Sequence, residues 1–93
     1  MKGTLKNGFK FEVDDSIMDD MEFIELYRKA QDDPMYYIDV LTRMLGEDQK
    51  KALYESVRGK DGVVHVTDGD YPVTDALSEI FEAIQKSGTA GKN

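Results

Sequence analysis

The sequence predicts one small α+β domain, mainly helical, in which an N-terminal β-hairpin is followed by about four helices around a single core. Three observations predict it: an Asn-Gly pair near the start, four later stretches with apolar residues at helical spacing, and Asp or Gly at their ends. The chain has 93 residues, the size of one domain. We therefore assign 1–86 to the domain and the small, polar residues 87–93 to a disordered tail.

The hairpin is predicted over residues 2–14. Its Asn-Gly pair at 7–8 favours a type I′ turn, in which both central residues have positive φ. Phe9, Phe11 and Val13 alternate with polar residues, so they share one face of the second strand. Because an isolated hairpin is marginally stable in water, this face is expected to pack against a helix of the same chain or against a neighbouring subunit.

The first two helices are predicted over about 19–31 and 34–45. Asp19 is placed to cap the first, and Asp33 to cap the second, where Pro34 loses no hydrogen bond at the first helical position. The expected apolar face of the first helix consists of Phe23, Leu26, Tyr27 and Ala30, widened by Met18, Met21 and Ile24. The expected buried face of the second consists of Tyr37, Ile38, Leu41, Met44 and Leu45.

The third helix is predicted over about 48–58, with Leu53 and Val57 as its core anchors. Gly46 is expected to end the preceding helix in the left-handed conformation, and Gly59 to end this one. The connection between the two helices is only a few residues long, which favours a tight helical hairpin.

The last helix is predicted over about 73–86, where the apolar spacing is the most regular in the chain. Its stripe consists of Val73, Leu77, Ile80, Phe81 and Ile84, and we expect Leu77, Ile80 and Phe81 in the core. Between the third and last helices, residues 63–66 are too few to classify. Either a brief strand or an extended linker fits them, and the linker is slightly favoured.

The Asp doublets at 14–15, 19–20 and 32–33 are the first candidates for a cation site. Each lies at a predicted helix start, where carboxylates cap free amides, and none matches a calcium-binding loop. We interpret them as caps, and the Asp-Gly-Asp at 68–70 as a turn. Because the chain has no cysteine and one histidine, His65, we expect no metal, no cofactor and no catalytic residue, and hence no enzyme.

The residues expected to contact a partner are large and apolar. Met35, Tyr36 and Tyr37 are consecutive, so one helix cannot bury all three, and Met and Tyr are common at interfaces. Phe9 and Phe11 complete the candidate partner-binding set. The competing interpretation places all five in the core and at its boundary.

The charge balance narrows the class of partner. Nineteen acidic against 12 basic residues give a net charge of −7, which repels nucleic acid and anionic lipid, so we expect neither as a partner. The same charge suits basic or amphipathic segments, although solubility explains it equally well. No apolar run approaches the ~20 residues that cross a bilayer.

A family resemblance covers residues 4–93. In order, the chain shows Phe-Lys-Phe-Glu-Val-Asp after the Asn-Gly pair, Asp-Asp-Met-Glu-Phe-Ile-Glu-Leu, Leu-Gly-Glu-Asp-Gln-Lys-Lys-Ala-Leu-Tyr, Ser-Glu-Ile-Phe-Glu-Ala-Ile and a final Gly-Lys-Asn. This order resembles the small tail assembly chaperones of long-tailed, siphovirus-type bacteriophages that infect Gram-positive bacteria. The motifs that carry the resemblance are hydrophobic positions and turns.

The resemblance implies a chaperone in the host cytoplasm that binds the tape measure protein, aids tail tube polymerisation and is not retained in the virion. It also implies self-association and, in many members, a longer form made by ribosomal frameshifting, through which the tail tube protein becomes a further partner. The alternative from another class is an acidic inhibitor that mimics nucleic acid and binds a basic enzyme. Clustering of Asp and Glu on one face would favour that alternative.

Overall fold

The structure is a computed structural model that describes the backbone of residues 1–92 and the side chains of residues 1–87. In chain order its elements are β1 (Lys2–Thr4), β2 (Lys10–Glu12), a first 3₁₀ helix (Asp15–Asp19), α1 (Met21–Asp32), a second 3₁₀ helix (Pro34–Tyr36), α2 (Tyr37–Val57) and α3 (Val73–Lys92). The two strands form an antiparallel hairpin. The predicted mainly helical α+β fold is therefore confirmed, with three α-helices in the described backbone where the sequence predicts about four.

The hairpin closes through a three-residue loop and not through the predicted type I′ turn. The Leu5 N–H donates to the Phe9 carbonyl and the Gly8 N–H donates to the Leu5 carbonyl, both at 2.8 Å. Gly8 has a φ of +94°, whereas no non-glycine residue in the described backbone has positive φ, so Asn7 does not adopt the type I′ conformation. The loop is a type I turn followed by a glycine of positive φ. The Asn-Gly pair predicts the hairpin correctly but not its turn type.

One face of the hairpin belongs to the core, as the alternation predicts. Phe11 and Val13 are buried, and both pack with side chains from the helices of the same chain. The Phe11 ring covers Gly3, its cross-strand neighbour. A Cβ atom on Gly3 would lie 2.5 Å from the ring, so the glycine provides the space that the aromatic side chain occupies.

A side chain of α2 closes the outer edge of β2. The Gln49 Oε1 accepts from the Glu12 N–H and the Gln49 Nε2 donates to the Glu12 carbonyl, both at 2.7 Å. The same Nε2 donates to the Leu45 carbonyl at 2.8 Å, which holds the amide in place. One glutamine therefore takes the hydrogen-bonding role of a neighbouring strand.

The turn of the hairpin is tied to distant parts of the chain. The Asn7 Nδ2 donates to the Ser56 carbonyl of α2 at 3.1 Å. The Glu79 carboxylate of α3 accepts from the Lys6 N–H at 2.8 Å and from the Tyr71 hydroxyl at 2.6 Å. Burial, and then the bond to Glu79, raise the pKa of the Tyr71 hydroxyl. These bonds fix the hairpin on the helices.

Each Asp doublet supplies one helix cap, which confirms the capping interpretation. In each cap the Asp Oδ1 accepts from backbone N–H groups. Asp14 accepts from Ser16 at 3.0 Å, Asp20 from Glu22 and Phe23 at 3.0 and 3.2 Å, and Asp33 from Met35 at 3.1 Å. The cap of α1 is thus Asp20 and not the predicted Asp19, because Asp19 belongs to the first 3₁₀ helix. The Phe23 N–H is the main cause that holds the pKa of Asp20 below its usual value, and Arg43 at 2.6 Å adds to it.

Helix α2 joins the predicted helices 34–45 and 48–58 across a kink at Gly46. The glycine has a φ of 80° and a ψ of 165°, so its φ is positive as predicted but its ψ is extended. The Lys50 Nζ donates to the Thr42 Oγ1 across the kink at 2.9 Å. In a straight helix these residues would be about 12 Å apart along the axis. The kink therefore bends the two arms of α2 towards each other on this side.

The core is formed by all the α-helices and the hairpin face. Its most deeply buried large side chains are Phe23, Leu41, Leu53, Leu77, Ile80 and Val40. The Phe81 ring stands edge-on to Phe23 and Tyr27, with centroids 6.3 and 4.7 Å away. The core predicted for the last helix is confirmed, as are the two anchors of the third, Leu53 and Val57.

Three predicted core residues are exposed instead: Met21 (70%), Ile24 (40%) and Ile38 (52%). In α2 the buried face is formed by Val40, Leu41, Met44 and Leu45. Because each helical residue turns by about 100°, Ile38 lies roughly a quarter turn away from the centre of that face. Val40, which the sequence analysis does not include, completes the buried face on its other side.

The connecting loop, residues 58–72, joins α2 to α3 without a strand in it, so the favoured linker interpretation of 63–66 is confirmed. The described backbone of α3 continues to Lys92, past the predicted helix end at 86. The disordered tail predicted for 87–93 falls on residues whose side chains, from Gly88 onward, lie outside the described part, and it stays a prediction.

Candidate partner-binding groove

An open groove with a volume of about 370 Å³ lies between the start of α2, the connecting loop and the start of α3. We call it the groove. Its lining residues are all apolar or aromatic: Pro34, Met35, Tyr37, Ile38, Leu41, Tyr54, Val64, Val66 and Val73. A concave surface of this composition suits apolar side chains from a ligand or a partner.

The rim of the groove lies where the second 3₁₀ helix passes into α2. Asp33 and Pro34 begin a 3₁₀ helix, and regular α-helix starts only at Tyr37. Met35 is 73% exposed at the rim, and Ile38 is 52% exposed beside it. The floor is provided by core residues such as Leu41 and Val73.

The opposite wall of the groove is the extended segment 63–66 of the connecting loop, which we call the wall segment. Val64 and Val66 line the groove, whereas His65 between them lines a polar cleft on the other side. The wall segment also caps α3. The Val73 N–H donates to the His65 carbonyl at 2.9 Å and the Thr74 N–H to the Val66 carbonyl at 3.0 Å.

The polar cleft behind the wall segment has a volume of about 500 Å³ and contains charges of both signs. Its ionisable lining residues are Arg58, Lys60, Asp61, His65, Asp68, Asp70 and Tyr71. The Asp61 Oδ2 lies 2.8 Å from the His65 Nε2, and the N–H of Val63 and then His65 lower the pKa of Asp61. Within the described residues, no three His, Cys, Asp or Glu side chains are grouped so as to hold a metal ion.

The structure separates the five residues predicted to contact a partner. Met35 and Tyr37 line the groove. Tyr36 lies outside it, with its ring centroid 5.8 Å from the Lys29 Nζ. Phe9 is half-buried and Phe11 is 3% exposed in the core, so the Phe11 ring is not available to a partner.

Sequence reasoning missed the groove residues outside the 35–37 cluster. Ile38 gave a usable signal, because it is off the core face once Val40 is taken as buried. Val64 and Val66 also gave a signal, since they alternate with His65 in an extended segment. Their position next to Met35, however, depends on the bonds to α3, which no local pattern reveals.

No family model, curated protein or solved structure matches the chain. None of the helices in the described part of the chain is both long and apolar enough to cross a bilayer. The function is therefore argued from the groove and from the sequence.

Proposed function

We propose that this chain is a binding protein: a tail assembly chaperone that holds an apolar segment of the tape measure protein of a long-tailed bacteriophage in the groove. The observation that supports binding is the groove itself, with nine apolar or aromatic lining residues and a rim exposed at Met35 and Ile38. The choice of partner is supported by the order of sequence features that carries the family resemblance. No residue is assigned a catalytic role.

The shape and composition of the groove suit an amphipathic helix. Such a helix inserts apolar side chains spaced at i, i+3 or i+4, and i+7, a recurring mode of peptide recognition. Met35 is unbranched and adapts to differently shaped side chains. The net charge of −7 adds attraction to basic partner segments during encounter, an effect that salt screens.

The other parts of the proposal follow from the family resemblance. The chaperone acts in the host cytoplasm, leaves before the virion is complete, and in a longer frameshifted form also contacts the tail tube protein. Self-association is part of the proposal too. Because the apolar face of the hairpin is buried, we assign self-association to the groove. Copies of the chain then compete there with the tape measure protein.

The test compares two pairs of exposed residues of the same type. Met35→Ser with Ile38→Ser alters the groove, and Met21→Ser with Ile24→Ser alters α1 outside it. The two pairs are matched in exposure: the Met residues are 73% and 70% exposed and the Ile residues 52% and 40%, with the groove residue first in each case. On co-expression, the wild-type chain and the α1 variant should keep the tape measure protein soluble and co-purify with it, whereas the groove variant should lose at least tenfold in affinity.

Equal binding by both variants would place the contact elsewhere on the chain. Sedimentation at rising concentration checks self-association, which the groove variant should also weaken. If the cognate tape measure protein stays insoluble and uncomplexed beside ample folded wild-type chain, the assignment is wrong. The acidic inhibitor of a basic enzyme then becomes the hypothesis to test.

A further inference from the structure

The wall segment separates two unlike spaces. Val64 and Val66 face the apolar groove, and His65 faces the polar cleft. Within the described residues the segment pairs with no strand, so its position depends on side-chain contacts, on the bonds to α3, and on the bond from the Gly59 N–H to the Val63 carbonyl at 2.8 Å. A shift of His65 in the cleft would therefore also move Val64 and Val66 in the groove, because the three residues are consecutive in one extended segment.

His65 holds this segment from three directions. Its Nε2 lies 2.8 Å from the Asp61 Oδ2. Its ring packs against two glycines, where an added Cβ on Gly69 or Gly59 would lie 3.3 or 3.5 Å from the ring carbon Cδ2. Its backbone carbonyl accepts from the Val73 N–H at the start of α3.

We propose that His65 is a positioning residue for the groove, and that protonation of its imidazole, by strengthening the contact with Asp61, favours the partner-binding position of the wall segment. This regulatory role rests on the proposed function, because it concerns the same groove. The structural half, that His65 positions the wall segment, is tested in the free protein.

The charges around His65 decide the sign of the effect. All of them come from the connecting loop: Arg58, Lys60, Asp61, Asp68, Asp70 and the Tyr71 hydroxyl. Among the described residues, Asp61 is the one within hydrogen-bonding distance of the ring. Arg58 is engaged elsewhere, with the Glu55 carboxylate and with the Gly62 carbonyl at 2.9 Å.

A hydrogen bond between two charged groups is stronger than one with a neutral imidazole. Lowering the pH from 7.5 to 5.5 should therefore stabilise the wall segment. Both partners are partly exposed, with side-chain exposures of 33% for His65 and 55% for Asp61, so water weakens the gain. The expected change is about twofold to fivefold, the range of exposed ion pairs.

Amide hydrogen exchange by NMR tests the structural half directly. The Val73 and Thr74 amides donate to the carbonyls of the wall segment and report whether it is in place. After correction for intrinsic exchange rates, their protection in the wild type should rise about twofold to fivefold between pH 7.5 and 5.5. His65→Ala should lower their protection at both pH values.

Asp61→Asn provides a second variant with a milder change. Asparagine keeps an oxygen for the Val63 N–H, which bonds the Asp61 Oδ1 at 3.0 Å, but it carries no charge to attract an imidazolium. In the Asp61→Asn variant, the protection of the Val73 and Thr74 amides should no longer depend on pH. The matched control is Asp68→Asn, which removes the same charge from the same cleft and should behave as the wild type.

The regulatory role is tested by the affinity of the chain for the cognate tape measure protein, measured at both pH values. In the wild type, binding should tighten at pH 5.5 by the same factor as the amide protection rises, and in Asp61→Asn the affinity should not change. Val73 and Thr74 protection that is equal in all variants overturns the inference, whatever the partner does. Protection that responds as expected, without a complex in any variant, overturns the proposed function and the regulation with it.

Discussion

The hairpin and the start of α2 both carry clustered large apolar side chains, yet the hairpin cluster packs into the core whereas part of the α2 cluster stays exposed. Phe11 is 3% exposed, whereas Met35 is 73% exposed. Alternation matches the two-residue period of a strand and puts Phe11 and Val13 on the same, buried face. Consecutive residues of a helical turn instead point in different directions. An apolar cluster enters the core when its spacing matches its element, and otherwise some of it stays exposed to partners.

Phe11→Ala is the change with the largest expected effect. It removes a buried aromatic ring and leaves a cavity above Gly3, so it should lower the free energy of unfolding by about 3–5 kcal/mol. Urea unfolding followed by circular dichroism measures this loss. A loss below about 1 kcal/mol would mean that the hairpin face contributes no more than an exposed residue does, and the comparison with the start of α2 would fail.

Gly3→Ala should cost about 1–3 kcal/mol, because the added methyl group would lie 2.5 Å from the Phe11 ring. The cause is checked by combining the two substitutions. In the Phe11→Ala background the ring is absent, so Gly3→Ala should become nearly neutral. An undiminished cost in that background would assign the effect to the backbone and not to the ring.

Acid should weaken the attachment of α1 to the arm of α2 that carries Ile38. The pKa of Asp20 is lowered from its usual 3.8 by the α1 amides and by Arg43, so its carboxylate stabilises the fold above about pH 4. That stabilisation is lost as the pH falls through the lowered pKa. Acid titrations of unfolding free energy should show a smaller decrease in Asp20→Asn than in the wild type. Asp19→Asn, which leaves the cap bonds intact, should retain the wild-type decrease.

The smallest effect is expected for the groove rim. Met35→Ser with Ile38→Ser should change the free energy of unfolding by less than about 0.5 kcal/mol for each substitution, because exposed side chains contribute little to stability. Met21→Ser with Ile24→Ser should change it equally little in the same urea titration. A loss of several kcal/mol in the groove pair alone would show that the rim supports the fold, and that its exposure is not a sign of partner binding.

The elements predicted correctly are those whose signals are local and periodic. The α3 stripe through Leu77, Ile80 and Phe81 repeats regularly, and the Asp33-Pro34 pair marks a helix start by its own chemistry. Gly46 marked an interruption correctly, because its backbone is not helical and two helical arms meet across it. How the two arms lie relative to each other depends on contacts across the glycine. The Lys50–Thr42 bond is such a contact.

The candidate site was predicted only in part. Met35 and Tyr37 stood out because three large residues in a row cannot all be buried on one helix. Phe11 was predicted to contact a partner on equally clear grounds, but it lies in the core. The sequence pattern near Phe11 could not reveal this, because the other core residues are distant from it in the sequence. The wall segment was beyond sequence reasoning, because its place depends on its bonds to Val73 and Thr74.

The bond between Lys6 and Glu79 has a consequence for the timing of synthesis. These residues are 73 positions apart, so the hairpin leaves the ribosome long before its α3 partner exists. At 5–20 residues per second the interval is about 4–15 s. Since an isolated hairpin is only marginally stable, the hairpin spends those seconds without its attachment to α3. Nascent chains stalled before Glu79 should therefore be cleaved within residues 1–13 by a protease that spares the completed protein.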